Sequence, residues 1–305
     1  MLKTILLLIL GLVVLPFVAY TYDAPLAPEQ KAMLQDMFYL MCGVALTCFI
    51  VSEITRNVSQ VDKLWSIMPI VYTWYFAYAG GWDSRMVLMA MLVTVWGVRL
   101  TFNFWRRGGY HWIPWQGEED YRWSVLRDMP LLRGRFRWAM FNLFFISFYQ
   151  QGLILLFTLP AVMAWHGKGT PLNWLDYFAA ALMLILIIVE TIADQQQFDF
   201  QTEKYRRKNA GEKLNEEQQK GFCSTGLWAK VRHPNYAAEQ GIWLAFYLFS
   251  VAATGRWLNG SLVGGILLLL LFQGSSDFSE KISAGKYAAY AEYQKRVGRF
   301  LPKMW

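Results

Sequence analysis

Long apolar blocks separated by polar connections run through most of the chain. A helix that crosses a bilayer needs roughly 20 mainly apolar residues. Eight stretches approach that requirement: residues 4–22, 36–55, 64–80, 86–105, 139–163, 174–194, 237–254 and 258–274. The runs at 139–163 and 174–194 are the most continuous. The run at 64–80 is short and aromatic-rich, as expected of a tilted or half-buried helix. Residues 4–22 follow Lys3 as a secretory signal would, but the apolar run is long and no A-x-A cleavage site follows, so a retained helix is expected. The pattern predicts an all-α fold, a multi-pass transmembrane helical bundle of about 7–8 helices with cytoplasmic loops. A single integral membrane domain over residues 1–305 is expected.

Composition agrees with the pattern. The 305 residues are 55% hydrophobic and only 17% charged, below the roughly 25% usual for a soluble domain, and the mean hydropathy is +0.24. Disordered, collagen-like, coiled-coil and small disulfide-rich classes are excluded. The net charge of +7 would suit a nucleic-acid protein or a membrane protein with basic loops. The apolar blocks favour the second, and no nucleic-acid partner is expected. With eight spans, one side of the membrane would carry 24 Lys and Arg residues and the other only Lys31, Arg85, Lys168 and Arg256. That asymmetry places both termini, the 106–138 loop and the 195–235 loop in the cytoplasm.

Chemistry-bearing residues are few. Cys42, Cys48 and Cys223 form no disulfide framework, and His111, His166 and His233 lack metal-ligand spacing, so no metal is expected. No Rossmann fingerprint, P-loop, HExxH or nucleophile elbow occurs. Polar groups inside spans are costly and usually face an interior. Arg99, Asn103 and Arg106 or Arg107 recur every three or four residues and form one stripe. This stripe either snorkels to the cytoplasmic face or lines a pocket. Glu190, Asp194, Gln197 and Gln201 form a second stripe, read as a solvated helix end or as acceptors for ribose hydroxyls and an adenine amine. Gln150 and Gln151 interrupt the 139–163 block, where a hydrogen bond between helices accounts for them equally well. Asp62 stands at a membrane boundary, paired with Lys63 or facing a cavity.

The densest constellation is GLWAKVRHPNYAAEQGIW, residues 226–243. Pro234 disfavours helix at His233, so a helix should begin near Asn235. Its unpaired N–H groups, beside Arg232, suit an anion. Asn235 and Glu239 share one helical face.

This segment resembles the superfamily of steroid 5-alpha-reductases, sterol reductases and isoprenylcysteine carboxyl methyltransferases. Within it the chain is most similar to the bacterial 5-alpha-reductase-like membrane proteins of the DUF1295 family. The resemblance rests on VDKLWS at 61–66, WGVRL at 96–100, EEDYRW at 118–123, FYQQ at 148–151, E-x-x-x-D-x-Q at 190–196, RHPNYAAE at 232–239 and YAEYQKRVGRFLP at 290–302. These pieces define a reductase-like region over 60–302. RHPNY and the tail mark the superfamily; the upstream pieces are more specific to the reductase branch.

The resemblance implies a bacterial inner-membrane enzyme that binds NADPH from the cytosol and a lipophilic small-molecule substrate from the membrane lipids. The cofactor-binding positions it implies fall on Arg99, Arg107, Glu190, Asp194, Asn235 and Glu239, with Arg232, His233 and Tyr236 in the RHPNY segment. Glu190 stands where the family has Asn; an acid would repel phosphate and should face a sugar or base. The implied substrate-carbonyl pair falls on Asp62, as the catalytic residue, and near Trp96. A Trp cannot donate a proton as a phenol does, so Tyr72, Tyr75 or Tyr78 is the alternative donor. The expected activity is NADPH-dependent reduction of an enone in a steroid- or isoprenoid-like molecule. The alternatives are an S-adenosylmethionine-dependent membrane methyltransferase and a non-enzymatic lipid-binding protein.

Overall fold

The computed structural model describes residues 25–303 except 114, together with 9, 13, 14, 17, 21 and 23. The expected span at 4–22 therefore lies largely outside the described residues. Regular structure among the described residues is helical, and a single parallel bridge joins Val231 to Gly298. In chain order the helices are α1 Pro28–Thr55, α2 Gln60–Leu64, α3 Met68–Ala79, α4 Ser84–Trp105, α5 Tyr121–Arg127, α6 Arg135–Gly167, α7 Trp174–Asn209, α8 Glu216–Lys220, α9 Pro234–Thr254, α10 Leu262–Lys286 and α11 Tyr290–Arg296.

Five of these, α1, α4, α6, α7 and α10, are long and apolar enough to cross a membrane. Two stretches expected to span do not meet that standard. The 64–80 stretch holds only the 12-residue α3, about 18 Å at 1.5 Å per residue. In α9, 21 residues long, Glu239 and Gln240 interrupt the apolar run.

The described residues group into two compact units. The first comprises residues 1–180 and 245–268; the second comprises 181–244 and 269–305.

In the first unit, Pro28 opens α1 at a position whose N–H needs no partner. The Gln30 side chain accepts from the Ala27 N–H at 2.9 Å. α1 buries Met33, Met37, Met41, Ala45, Cys48 and Ser52, at three- and four-residue spacing, while Phe38, Leu46, Ile50 and Ile54 are exposed. An apolar stripe inside and an apolar face outside is the arrangement that suits lipid. Two bonds fix how α1 lies against α6: Gln30 Nε2 donates to the Val162 carbonyl at 2.9 Å, and Asn142 Nδ2 donates to Glu53 Oε1 at 2.8 Å. The pair is therefore antiparallel. α6 contains a π-helical stretch, Asn142–Tyr149, along which Phe141, Phe145 and Tyr149 stack at 4.9 and 5.2 Å. α3 and α4 approach closely because Gly97 has no side chain; a Cβ there would meet Ile70 and the Ser66 carbonyl at 2.6 Å. Arg85 is fully buried and pairs with Asp176 through two bonds, 2.7 and 2.9 Å, with Gly167, Thr170 and Pro171 accepting its remaining N–H groups.

In the second unit, α7 and α9 run antiparallel. The Asn235 amide bonds Asp194, and a Cβ on Gly241 would sit 2.9 Å from Leu186. Much of residues 203–220 is helical: α7 continues to Asn209, and α8 is capped by Asn215, whose side chain accepts from the Gln218 N–H at 2.8 Å. Phe222, Tyr290 and Tyr293 form a small core with Tyr287 and Val297.

Candidate functional site

The residues of the RHPNY segment divide into two structural roles, both within the second unit. Arg232 and His233 precede the first turn of α9. Their backbone N–H groups donate to the Gly298 and Arg299 carbonyls at 2.8 and 3.1 Å, tying the segment to the tail. The Arg232 guanidinium reaches Glu280 through Nε at 2.7 Å and Nη2 at 3.1 Å, and its Nη1 donates to the Gln294 and Val297 carbonyls. His233 Nε2 lies 2.9 Å from the same Glu280 oxygen that Arg232 Nε contacts, and Gln294 Nε2 donates to the other at 2.8 Å. The His233 ring stacks on Tyr236 at 5.3 Å, and Tyr236 packs on Phe272 at 4.9 Å. Arg232 and Glu280 are 8% and 3% exposed. This is a buried, saturated clamp. Sequence reasoning missed Glu280 and Gln294; Glu280 lies among other polar residues in the C-terminal part of α10, where composition does not mark it.

Beyond Pro234 the pattern changes. Asn235 stands in the first turn of α9 and donates Nδ2 to Asp194 Oδ1 at 3.1 Å. A carboxylate has no proton to give, so the amide nitrogen must be the end that faces it. Asn235 Oδ1 is consequently turned elsewhere, and it is buried with no hydrogen-bond partner. Gln197, one turn along α7 from Asp194, has its Oε1 in the same condition. The antiparallel register sets Glu190 level with residues 238–239. Glu190, Asp194 and Glu239 are each at least 96% buried. Glu239 accepts from the Trp243 indole N–H at 2.9 Å. On the same stretch of α7, Gln196 Oε1 accepts from the Leu227 N–H at 2.9 Å, and the Ala193 carbonyl accepts from the Trp228 indole at 3.0 Å. The structure thus joins Asp194 to Asn235 and surrounds them with buried acceptors.

The remaining expected site residues belong to the first unit. Asp62 lies in α2, and its Oδ2 accepts from the Trp123 indole N–H at 3.0 Å. Burial pushes the Asp62 carboxyl above the usual carboxylate range, and the charge of Asp120 adds to that. Burial would raise Asp120 too, but bonds and charge from Arg122 outweigh it and leave that carboxyl below its usual value. Lys63 donates to Gln60 Oε1 at 3.2 Å and to the Gln116 carbonyl at 2.6 Å, and burial lowers its pKa. Ser59 Oγ accepts from the Asp120 N–H at 2.9 Å, and Glu119 accepts from the Val58 N–H at 2.9 Å. The EEDYRW segment therefore folds back onto the α1–α2 connection, and Trp123 is the contact that the sequence did not reveal.

On α4, Arg99 is partly buried and Trp96 fully so. Asn103 accepts from Arg106 Nε and Nη2 at 3.0 and 2.7 Å, a bond within the expected polar stripe. Arg107 is exposed just past the helix end. The arginines of the 203–208 stretch are held by acids: Arg206 by Glu203 and Glu212, and Arg207 by Glu203.

Tyr72, Tyr75 and Tyr78 are now distinguishable. Tyr75 hydroxyl bonds Asp36 and Tyr78 is 64% exposed, whereas Tyr72 is fully buried and its hydroxyl has no partner. The described residues contain no group of three or more His, Cys, Asp or Glu placed to hold a metal ion.

A family model described as "Protein of unknown function (DUF1295)" matches residues 48–297. An uncharacterized protein of Schizosaccharomyces pombe is 37% identical over 274 residues, covering 83% of this chain and 75% of that protein. No solved structure matches.

Proposed function

The chain belongs to the DUF1295 family of proteins of unknown function, and for this member we propose NADPH-dependent reduction of a conjugated carbonyl compound drawn from the membrane. The observation that carries the reading is the Asp194–Asn235 pair with the buried, unpartnered oxygens of Asn235 and Gln197 beside it. A buried acceptor without a donor costs about 1–3 kcal/mol, so it calls for a donor from outside the protein. Ribose hydroxyls and a carboxamide or adenine amine are such donors. Glu190, Asp194 and Glu239 accept from hydroxyls and amines but repel phosphate. They would therefore hold the sugar and base; the resemblance assigns the phosphates to Arg99 and Arg107. When bound, NADPH supplies a hydride.

The chain's own residues would do the rest. Asp62, held toward its protonated form by burial, retains a proton that a reduced enone's oxygen requires. The apolar helices exclude water. His233 and Tyr236 act by holding the start of α9 against the tail.

One observation favours a second reading. The Arg232 guanidinium is engaged by Glu280 and two tail carbonyls, and three buried carboxylates stand nearby along α7 and α9. That balance suits a sulfonium-bearing cofactor, hence a methyltransferase using S-adenosylmethionine. Titrating the purified full-length protein with NADPH, NADH and S-adenosylmethionine separates the two. Saturable NADPH binding, weakened in Arg107→Ala about tenfold more than NADH binding, is the expected result. Binding of S-adenosylmethionine alone would replace the reductase reading with the second.

A further inference from the structure

Among the described residues of the first unit, Ser52, Tyr72 and Gln151 carry buried polar atoms that the fold does not satisfy, and the last two lie at one depth. Tyr72, on α3, and Gln151, on α6, are both 0% exposed. The Tyr72 hydroxyl has no hydrogen-bond partner, and neither does the oxygen or the nitrogen of the Gln151 amide. The interhelical bond expected of Gln151 is not made. A fully buried glutamine that forms no hydrogen bond at either end is uncommon, because most buried polar atoms have a partner.

Their depths agree. The Gln30–Val162 and Asn142–Glu53 bonds fix the α1–α6 register and set Gln151 level with residues 41–44. Tyr72 lies within electrostatic reach of Cys42 and Cys48 on α1. Both groups thus stand near the middle of the 28-residue α1, where a bilayer offers no water to either. α1, α3 and α6 pack on one another there. Two other buried polar groups of this unit show the contrast: Arg85 directs its N–H groups to five oxygens, and Thr73, one residue from Tyr72, donates to the Pro69 carbonyl at 2.8 Å. At this depth the deficit falls on Tyr72 and Gln151; Ser52 Oγ, nearer the C-terminal end of α1, is also buried without a partner.

We infer that Tyr72 and Gln151 form the recognition point for one uncharged oxygen, a carbonyl or a hydroxyl, of a lipophilic molecule lodged among α1, α3 and α6. The chemistry of the pair fits a neutral group. A phenol and an amide can give two donors to one carbonyl oxygen, or one donor and one acceptor to a hydroxyl. Neither side chain carries charge, and the surrounding Met41, Ala45 and Phe76 are buried and apolar, so an ionised headgroup would be left without a counter-charge. The inference deepens the reductase reading by naming the feature of the substrate that the protein grips. It involves no cofactor, so each can fail without the other.

The test uses the full-length protein in mild detergent and three diazirine-bearing probes: a C20 isoprenoid ketone, the matching alcohol and the parent hydrocarbon. Photolabelling of wild-type protein by the ketone or the alcohol, mapped to α1, α3 or α6 and well above the hydrocarbon, is expected. Tyr72→Phe and Gln151→Leu should each weaken that labelling about tenfold. Preference for the ketone assigns two donors to one oxygen; preference for the alcohol assigns a donor and an acceptor. Equal labelling by all three probes, or unchanged labelling of both variants, overturns the inference. Heat stability without probe supplies an independent readout. Removing a buried polar atom that has no partner is neutral or stabilising, as for groups kept for function at the expense of stability. Both variants should therefore melt at or above the wild-type temperature. A clear drop in both would show that the two side chains are satisfied within the fold and would equally overturn the inference.

Discussion

Arg232 and Asn235 stand three residues apart in one motif and do opposite things. On the Arg232 side, every strong donor meets an acceptor: Glu280 receives Arg232, His233 and Gln294, and tail carbonyls take the rest. On the Asn235 side, one bond to Asp194 orients the amide and leaves its oxygen buried without a donor. The contrast separates the two reasons a polar residue can be buried. A saturated group holds the fold. An oriented but incomplete group is set for something the fold does not contain. A basic residue in a conspicuous motif invites an anion-binding role, yet here the charged half of the motif is bound to Glu280 and the tail, and the neutral half leaves a buried acceptor open.

The largest effect that separates the halves is expected at Glu280. Removing one partner of a buried ion pair costs about 3–5 kcal/mol, because the other charge is left uncompensated. Glu280→Gln should therefore lower the melting temperature markedly and expose the tail after residue 286 to limited proteolysis. A variant that melts with wild type would show that the clamp is dispensable, and the contrast with Asn235 would lose its first half.

A smaller and more selective effect is expected at Gln197. Its Oε1 has no partner, so Gln197→Leu should leave heat stability unchanged while weakening NADPH about tenfold, or about 1.4 kcal/mol. Calorimetric titration beside a melting curve reads both quantities. Lost stability with unchanged cofactor affinity would make Gln197 a structural residue like Arg232.

Much of this arrangement was legible in the residue pattern, and the unread parts have physical causes. The 190–201 stripe and the Asn235–Glu239 face follow from helical period alone, and the helix start follows from Pro234. The Asp194–Asn235 bond joins those two faces across 41 positions of chain, a pairing that periodicity does not encode. The Glu280 clamp was invisible for the same reason: its partners lie 47 and 48 positions away. The 64–80 stretch falls short of a span because Pro69 stands at the start of α3 and Gly80 at its end, which leaves a helix of 12 residues. The three candidate tyrosines of that helix differ only in what surrounds them, so sequence could not choose among them, whereas burial and partner choice single out Tyr72.

The smallest effect concerns Asp62, a third kind of buried group, which has one neutral donor in Trp123 and whose pKa is raised by burial and by Asp120. The folded protein holds this proton to a higher pH than the unfolded chain, where an aspartate titrates near 3.9. Above that value the native state binds more protons, so Asp62 contributes a fall in stability as pH rises toward its folded pKa. Asn cannot titrate, nearly matches protonated Asp in shape, and still accepts from Trp123. Asp62→Asn should match wild type at acid pH and become progressively more stable than wild type as the pH is raised, a difference read from melting curves across the range. If wild type instead gains on the variant with rising pH, the fold favours the ionised carboxylate. Asp62 would then belong with Glu280 among the groups that hold the structure, not among those that keep a proton for a reaction.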